Sequence, residues 1–124
     1  MSKREPKALT FDDVRRLVQA LPRVEEGTTY GSPALKVAGK MFACIPTHRS
    51  AEPDSLVVRI DFAQRDELTA AEPGTYYLKD HYVSYPCVLV RLRRIERDAL
   101  RDLLGMAHRF VSAKASRRAG RRRA

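Results

Sequence analysis

Tryptophan is absent from these 124 residues, cysteine occurs twice, and the longest unbroken apolar stretch, Met41 to Ile45, is five residues long. A membrane-spanning helix needs about 20 apolar residues, so no such span is expected. Two cysteines without a CxxC pair exclude a disulfide framework or a zinc ribbon, and Cys44 and Cys87 sit alone inside strand-like runs. They read as reduced, packed thiols in a cytoplasmic protein. The three histidines, His48, His81 and His108, are scattered with no HExxH or HxxxH spacing, so no metal site is expected. Gly27 and Gly31 lack the spacing and the following helix of a phosphate-binding loop, and nothing else calls for a cofactor. Asp80 and His81 are adjacent on an extended stretch and so point to opposite faces, which denies them acid–base pairing. No catalytic motif is present, and a non-enzymatic protein is expected.

Charge is what the chain has in excess. Its 24 Lys and Arg against 15 Asp and Glu give +9, unevenly placed. From Lys114 onward there are six cations (Lys114, Arg117, Arg118, Arg121, Arg122 and Arg123) and no acid. The first seven residues carry three cations and one acid, which leaves residues 8–113 with 15 cations against 14 acids. The expected organisation is a nearly neutral domain over 8–113, a short basic arm over 1–7, and a basic, disordered tail over 114–124. The basic start leads into an amphipathic segment and not an apolar run, so no targeting signal is expected.

Within the domain, Thr10 and Asp13 open a helix whose apolar residues, Phe11, Val14, Leu17, Val18 and Leu21, recur at helical spacing until Pro22. Arg23 to Pro33 is rich in turn formers. Ala34–Ala38 and Met41–Ile45 read as a hairpin closed by Gly39-Lys40. A polar, mobile loop from Pro46 to Asp54 leads into the strand Ser55–Ile60, in which Leu56, Val58 and Ile60 face one way and Val57 and Arg59 the other. Asp61 caps a helix to about Ala71, ended by Pro73-Gly74. Thr75–Leu78 and Cys87–Leu92 are two further strands. The stripe Leu100, Leu103, Leu104, Ala107 and Val111 marks a helix over 95–111 packed on the sheet. The fold class is therefore α+β: two layers, a largely antiparallel sheet covered by the N- and C-terminal helices.

The runs LTFDDV from Leu9, YGSPALKV from Tyr30, GKMFA from Gly39, SLVVR from Ser55 and DHYVSYPCVLVRL from Asp80 resemble the MmcQ/YjbR family of small bacterial proteins. The similarity extends from about residue 9 to residue 111. It implies a compact double-wing α+β fold that carries a DNA-binding label, a label that rests on fold likeness. The basic tail lies outside the region of resemblance.

DNA is accordingly the first partner to consider. Six tail cations meeting phosphates would give a log–log salt slope of about −5. On the domain, Lys36 and Lys40 flank the hairpin, while Arg59, Arg91, Arg93 and Arg94 lie in or beside strands. If Ser55–Ile60 neighbours Cys87–Leu92, Arg59, Arg91 and Arg93 form one basic stripe able to reach a groove. Tyr76, Tyr82, Tyr85 and His81 are candidates for stacking on unpaired bases, or for receiving a partner protein or a second copy of the chain on an exposed sheet face.

Overall fold

A computed structural model describes the backbone of residues 8–123 and the side chains of residues 8–115. Helix α1 spans Phe11–Val18, opened by the Thr10 backbone amide donating to the Asp13 carboxylate at 2.8 Å. The Arg97 guanidinium donates to the same carboxylate at 3.0 Å and ties α1 to the C-terminal helix. Val14 and Val18 turn into the core.

The chain then enters β1 (Val24–Thr29), where turn-formers had suggested a loop. The turn signals act only at Tyr30-Gly31, whose φ values of 52° and 80° make the two-residue left-handed link that suits a hairpin. β2 (Ser32–Val37) returns antiparallel, and a second such link, Ala38-Gly39 with φ of 54° and 76°, leads into β3 (Lys40–Cys44). This turn falls one residue earlier than the Gly39-Lys40 spacing suggested, with Ala38 in the left-handed region.

β4 (Ser55–Arg59) is followed by α2 (Phe62–Ala71), capped as expected by Asp61, which accepts from the Gln64 amide at 2.7 Å. Then come β5 (Tyr76–Tyr77), a single turn α3 (Asp80–Val83), β6 (Cys87–Arg91) and α4 (Arg97–Arg123). All pairings in the six-stranded sheet, ordered β1-β2-β3-β4-β6-β5, are antiparallel. Among the described residues, no helix is long and apolar enough to cross a membrane.

One sheet face carries the main core. Leu35, Phe42, Leu56, Val58, Val88 and Val90 pack against Val14 and Val18 of α1 and against Leu100, Leu104 and Val111 of α4. The two-layer α+β expectation holds. The other face bears a smaller cluster, Ala34, Cys44, Val57, Cys87 and Leu89, roofed by Tyr77 and Tyr82. α4 continues to Arg123 without a break at Ala113, the expected end of the domain. The side chains of 116–124, and with them those of Arg117, Arg118, Arg121, Arg122 and Arg123, lie outside the described residues, as does the whole arm 1–7.

Candidate functional site

The register of β4 against β6 decides what the strand arginines can do together. The two strands are neighbours, but Arg59 lies opposite Cys87 while Arg91 lies opposite Ser55. Arg59 and Arg91 thus share a face at opposite ends of the pair, roughly 13 Å apart at strand rise. They form no single stripe. Arg91 is also engaged within the fold. Its guanidinium makes a forked pair with Glu52 at 2.8 and 2.7 Å, donates to the Pro73 and Gly74 carbonyls at 3.1 Å, and lies over the Tyr77 ring. The Arg91 hydrogen bonds hold the Glu52 carboxyl below its ordinary pKa. Arg93 stands in the turn after β6 and pairs with Asp54 at 2.9 Å. Arg94 is exposed in the same turn.

The remaining cations separate by place. Lys36 lies across from Glu25 in β1 and runs its stem along Gly27. Lys40 is exposed at the start of β3 beside the Ala38-Gly39 turn. Near that turn, α4 passes the end of the sheet: Ser112 and Ala115 line one groove with Pro22, Arg23 and Ala38, and Arg109 lines the adjoining one with Leu21 and Pro22. His108 fixes the helix here, bonded at 2.8 Å to the Pro22 carbonyl, with its ring edge-on to Phe42. Among the described residues, Arg23, Lys40, Arg109 and Lys114 form no salt bridge, whereas Arg15, Arg91, Arg93, Arg97 and Arg101 all do.

The tyrosines also divide. Tyr76 is buried toward the helical layer, and Tyr82 is buried under the opposite face, so neither offers a ring face to a passing base. Tyr85 is 55% exposed, and His81 is exposed beside it. Tyr30, which is not among the candidates chosen from the sequence, is 90% exposed at the tip of the first hairpin.

These exposed aromatics rim a cleft of about 560 Å³ on the sheet face away from α4. Its floor is Cys44, Val57 and Cys87, and its wall is a histidine pair, His48 stacked on His81 at 3.8 Å with the planes 10° apart. His48 stands on the connection over 45–54, of which Pro46 to Asp54 was expected to be a mobile loop; it is fastened at Glu52 by Arg91 and by the Tyr77 hydroxyl, which accepts from the Glu52 amide at 2.8 Å. The His48 Nδ1 accepts from the Ser50 amide at 3.1 Å, which leaves a neutral His48 with its proton on Nε2. Desolvation, then the charges of His81 and Arg49, push the His48 pKa down. Burial drives Cys44 up to about 11, so its thiol is neutral at pH 7.

Arg65, hidden in the sequence as one more helix cation, secures the other wall. Only 7% exposed, it donates from one terminal nitrogen to the carbonyls of Val83 at 3.0 Å and Tyr85 at 2.9 Å, fixing the link between α3 and β6. Among the described residues, no group of three or more His, Cys, Asp or Glu is placed to hold a metal ion.

The sheet order, the paired hairpins and the single helical layer define an α+β domain of one antiparallel sheet. The crystal structure of Deinococcus radiodurans protein DR2400, with its DUF419 domain, has the same fold, at a TM-score of 0.69 and 24% identity over 85% of this chain and 80% of that one. The YjbR family model matches residues 19–110, and the chain belongs to the YjbR family. Relatives include the uncharacterized proteins Mb2600 of Mycobacterium bovis and Rv2570 of Mycobacterium tuberculosis. Each is 32% identical over 109 residues, spanning 77% of this chain and 82% of theirs.

Proposed function

We propose that this YjbR protein binds DNA through the end of the molecule where α4 leaves the sheet, and that it does so chiefly through phosphate contacts. The observation that carries the reading is the continuity of α4. The helix is anchored on the sheet to Val111 and carries on for 12 residues to Arg123, in a stretch with six cations and no acid. Twelve helical residues reach about 18 Å, and a helix of about 10–12 Å diameter matches the width of the major groove. Arg23, Lys40 and Arg109 stand at the same end without carboxylate partners among the described residues, so they add to the attraction. Arg91 and Arg93 are left out of this surface because their charges are already matched by Glu52 and Asp54. Contacts to phosphate supply affinity and orientation with little sequence information.

The test is binding to mixed-sequence duplex at several salt concentrations, for the full chain and for a chain ending at Ala113, which keeps every buried core residue among those described. The full chain should show a log–log slope of about −5 or steeper, and the shortened chain should lose most of it. Arg91→Ala should leave the slope of the full chain unchanged. Equal binding by the two lengths, or no retention of the full chain at low salt, would overturn the reading.

A further inference from the structure

We infer that the cleft between the first hairpin and α3 is a binding site for a small planar aromatic molecule that carries one acidic group. Its volume of about 560 Å³ falls in the range of small-molecule sites, roughly 300–1,000 Å³. Shape and wall chemistry call for a ring. Beside the His48–His81 stack the cleft is lined by Tyr85, whose ring centre lies 6.2 Å from that of His81, and by Tyr30, and both tyrosines are exposed. Tyr30 is held there at φ 52° by the two-residue left-handed link of the first hairpin. The residue stands 90% exposed at this position. A flat occupant would cover it.

Charge calls for an acid. Arg59 is the one permanently charged residue lining the cleft, and no Asp or Glu lines it. Its guanidinium makes a single long hydrogen bond, 3.4 Å to the Met41 carbonyl, and forms no salt bridge among the described residues. This contrasts with Arg91 at the other end of the same strand pair, which is saturated by a carboxylate and two carbonyls. The floor adds no negative charge, because the Cys44 thiol stays protonated at pH 7. Arg59 is therefore a cation on an apolar, aromatic-walled surface with donors to spare, the arrangement that pairs with a carboxylate fork. The site lies on the sheet face opposite α4.

Naphthalene-2-carboxylate and its neutral amide, naphthalene-2-carboxamide, are suitable probes, titrated into the full chain while the ring signals of Tyr30, His48, His81 and Tyr85 are followed by NMR. The acid should give saturable shifts at these rings, with the amide weaker by on the order of tenfold. Arg59→Gln should bring the acid down to the affinity of the amide and leave the amide unaffected. The proposal is overturned if the acid produces no saturable shift at these rings up to its solubility limit, or if acid and amide bind the wild-type chain equally well. The acid–amide comparison needs no variant and so decides the matter even if Arg59→Gln fails to fold.

Discussion

The two faces of the sheet are closed by different physics. On one, two helices lay down a continuous layer of aliphatic side chains, and the buried residues of β2, β3, β4 and β6 on that side interlock with Leu100, Leu104 and Val111 of α4. On the other, no long helix is available. A four-residue helix and a ten-residue loop are fastened by arginines: Arg65 to the carbonyls of Val83 and Tyr85, and Arg91 to Glu52, Pro73 and Gly74. Polar fastening holds a loop at a few points and leaves space between them, and that space is the cleft. Arg65 and Arg91 are thus structural fasteners and not free surface charges, although the protein is basic.

The sharpest test compares two residues of one strand. Phe42 points into the helical layer and Cys44 onto the cleft floor. Phe42→Ala should cost about 3–5 kcal/mol in urea unfolding, through the lost transfer energy and the cavity left behind. Cys44→Ala removes one sulfur atom from a small cluster and should cost about 1 kcal/mol. Similar losses at the two positions would mean that the faces contribute equally and that the cleft side is a true core.

Next in size are the fasteners. Arg65→Ala strips two carbonyls of a charged donor in a buried setting and should cost about 2–3 kcal/mol. Arg91→Ala acts at a half-exposed site and should cost about 1 kcal/mol. The Arg91 pair also carries a pH signature. The folded pKa of Glu52 is lowered, so the stabilisation is present above the unfolded value of about 4.3 and is lost as the pH falls through the folded one. Wild type should lose more stability than Arg91→Ala between neutral pH and pH 3, read from urea midpoints. A parallel decline in the two proteins would remove Glu52 from the loop's fastening.

What was legible in the sequence is what is encoded locally. Asp61 and Gln64 announce the start of α2 because an N-cap is a contact three residues long. The alternation of Leu56, Val58 and Ile60 against Val57 is the two-sided burial of a central strand, and the structure sorts those residues into the two clusters accordingly. β1 was missed because Val-Glu-Glu-Gly-Thr-Thr has one aliphatic residue; it is an edge strand, defined by its partner β2 more than by its own pattern. α3 is too short for any helical period to register. The direction of the Arg59 and Arg91 side chains followed from period two, but their separation depends on antiparallel register, which strand periodicity does not contain. The histidine stack was invisible for the same reason: His48 and His81 meet only after a loop is tied to the far end of β6 by Arg91.

That stack supplies the smallest and most local test of the difference between the faces. Desolvation, with His81 and Arg49 adding charge repulsion, holds the His48 pKa below its ordinary value, and its Nδ1 is already committed as an acceptor from the Ser50 amide. Protonating Nδ1 would set N–H against N–H and place a cation face-on to His81. The sign follows from the depressed pKa: neutral His48 is compatible with the closed loop above about pH 6.5, and the stability it allows is lost as the pH falls through the lower folded value. Replacing His81 with Ala removes one of the two charges acting on His48, so the His48 ring proton should then titrate at a higher pH than in wild type, measured by NMR. The wild-type cleft signals should begin to broaden or shift over the same range in which His48 titrates. A His48 that titrates at its ordinary value, unaffected by His81→Ala, would mean that water already reaches the stack and that the cleft wall is looser than the distances between its rings imply.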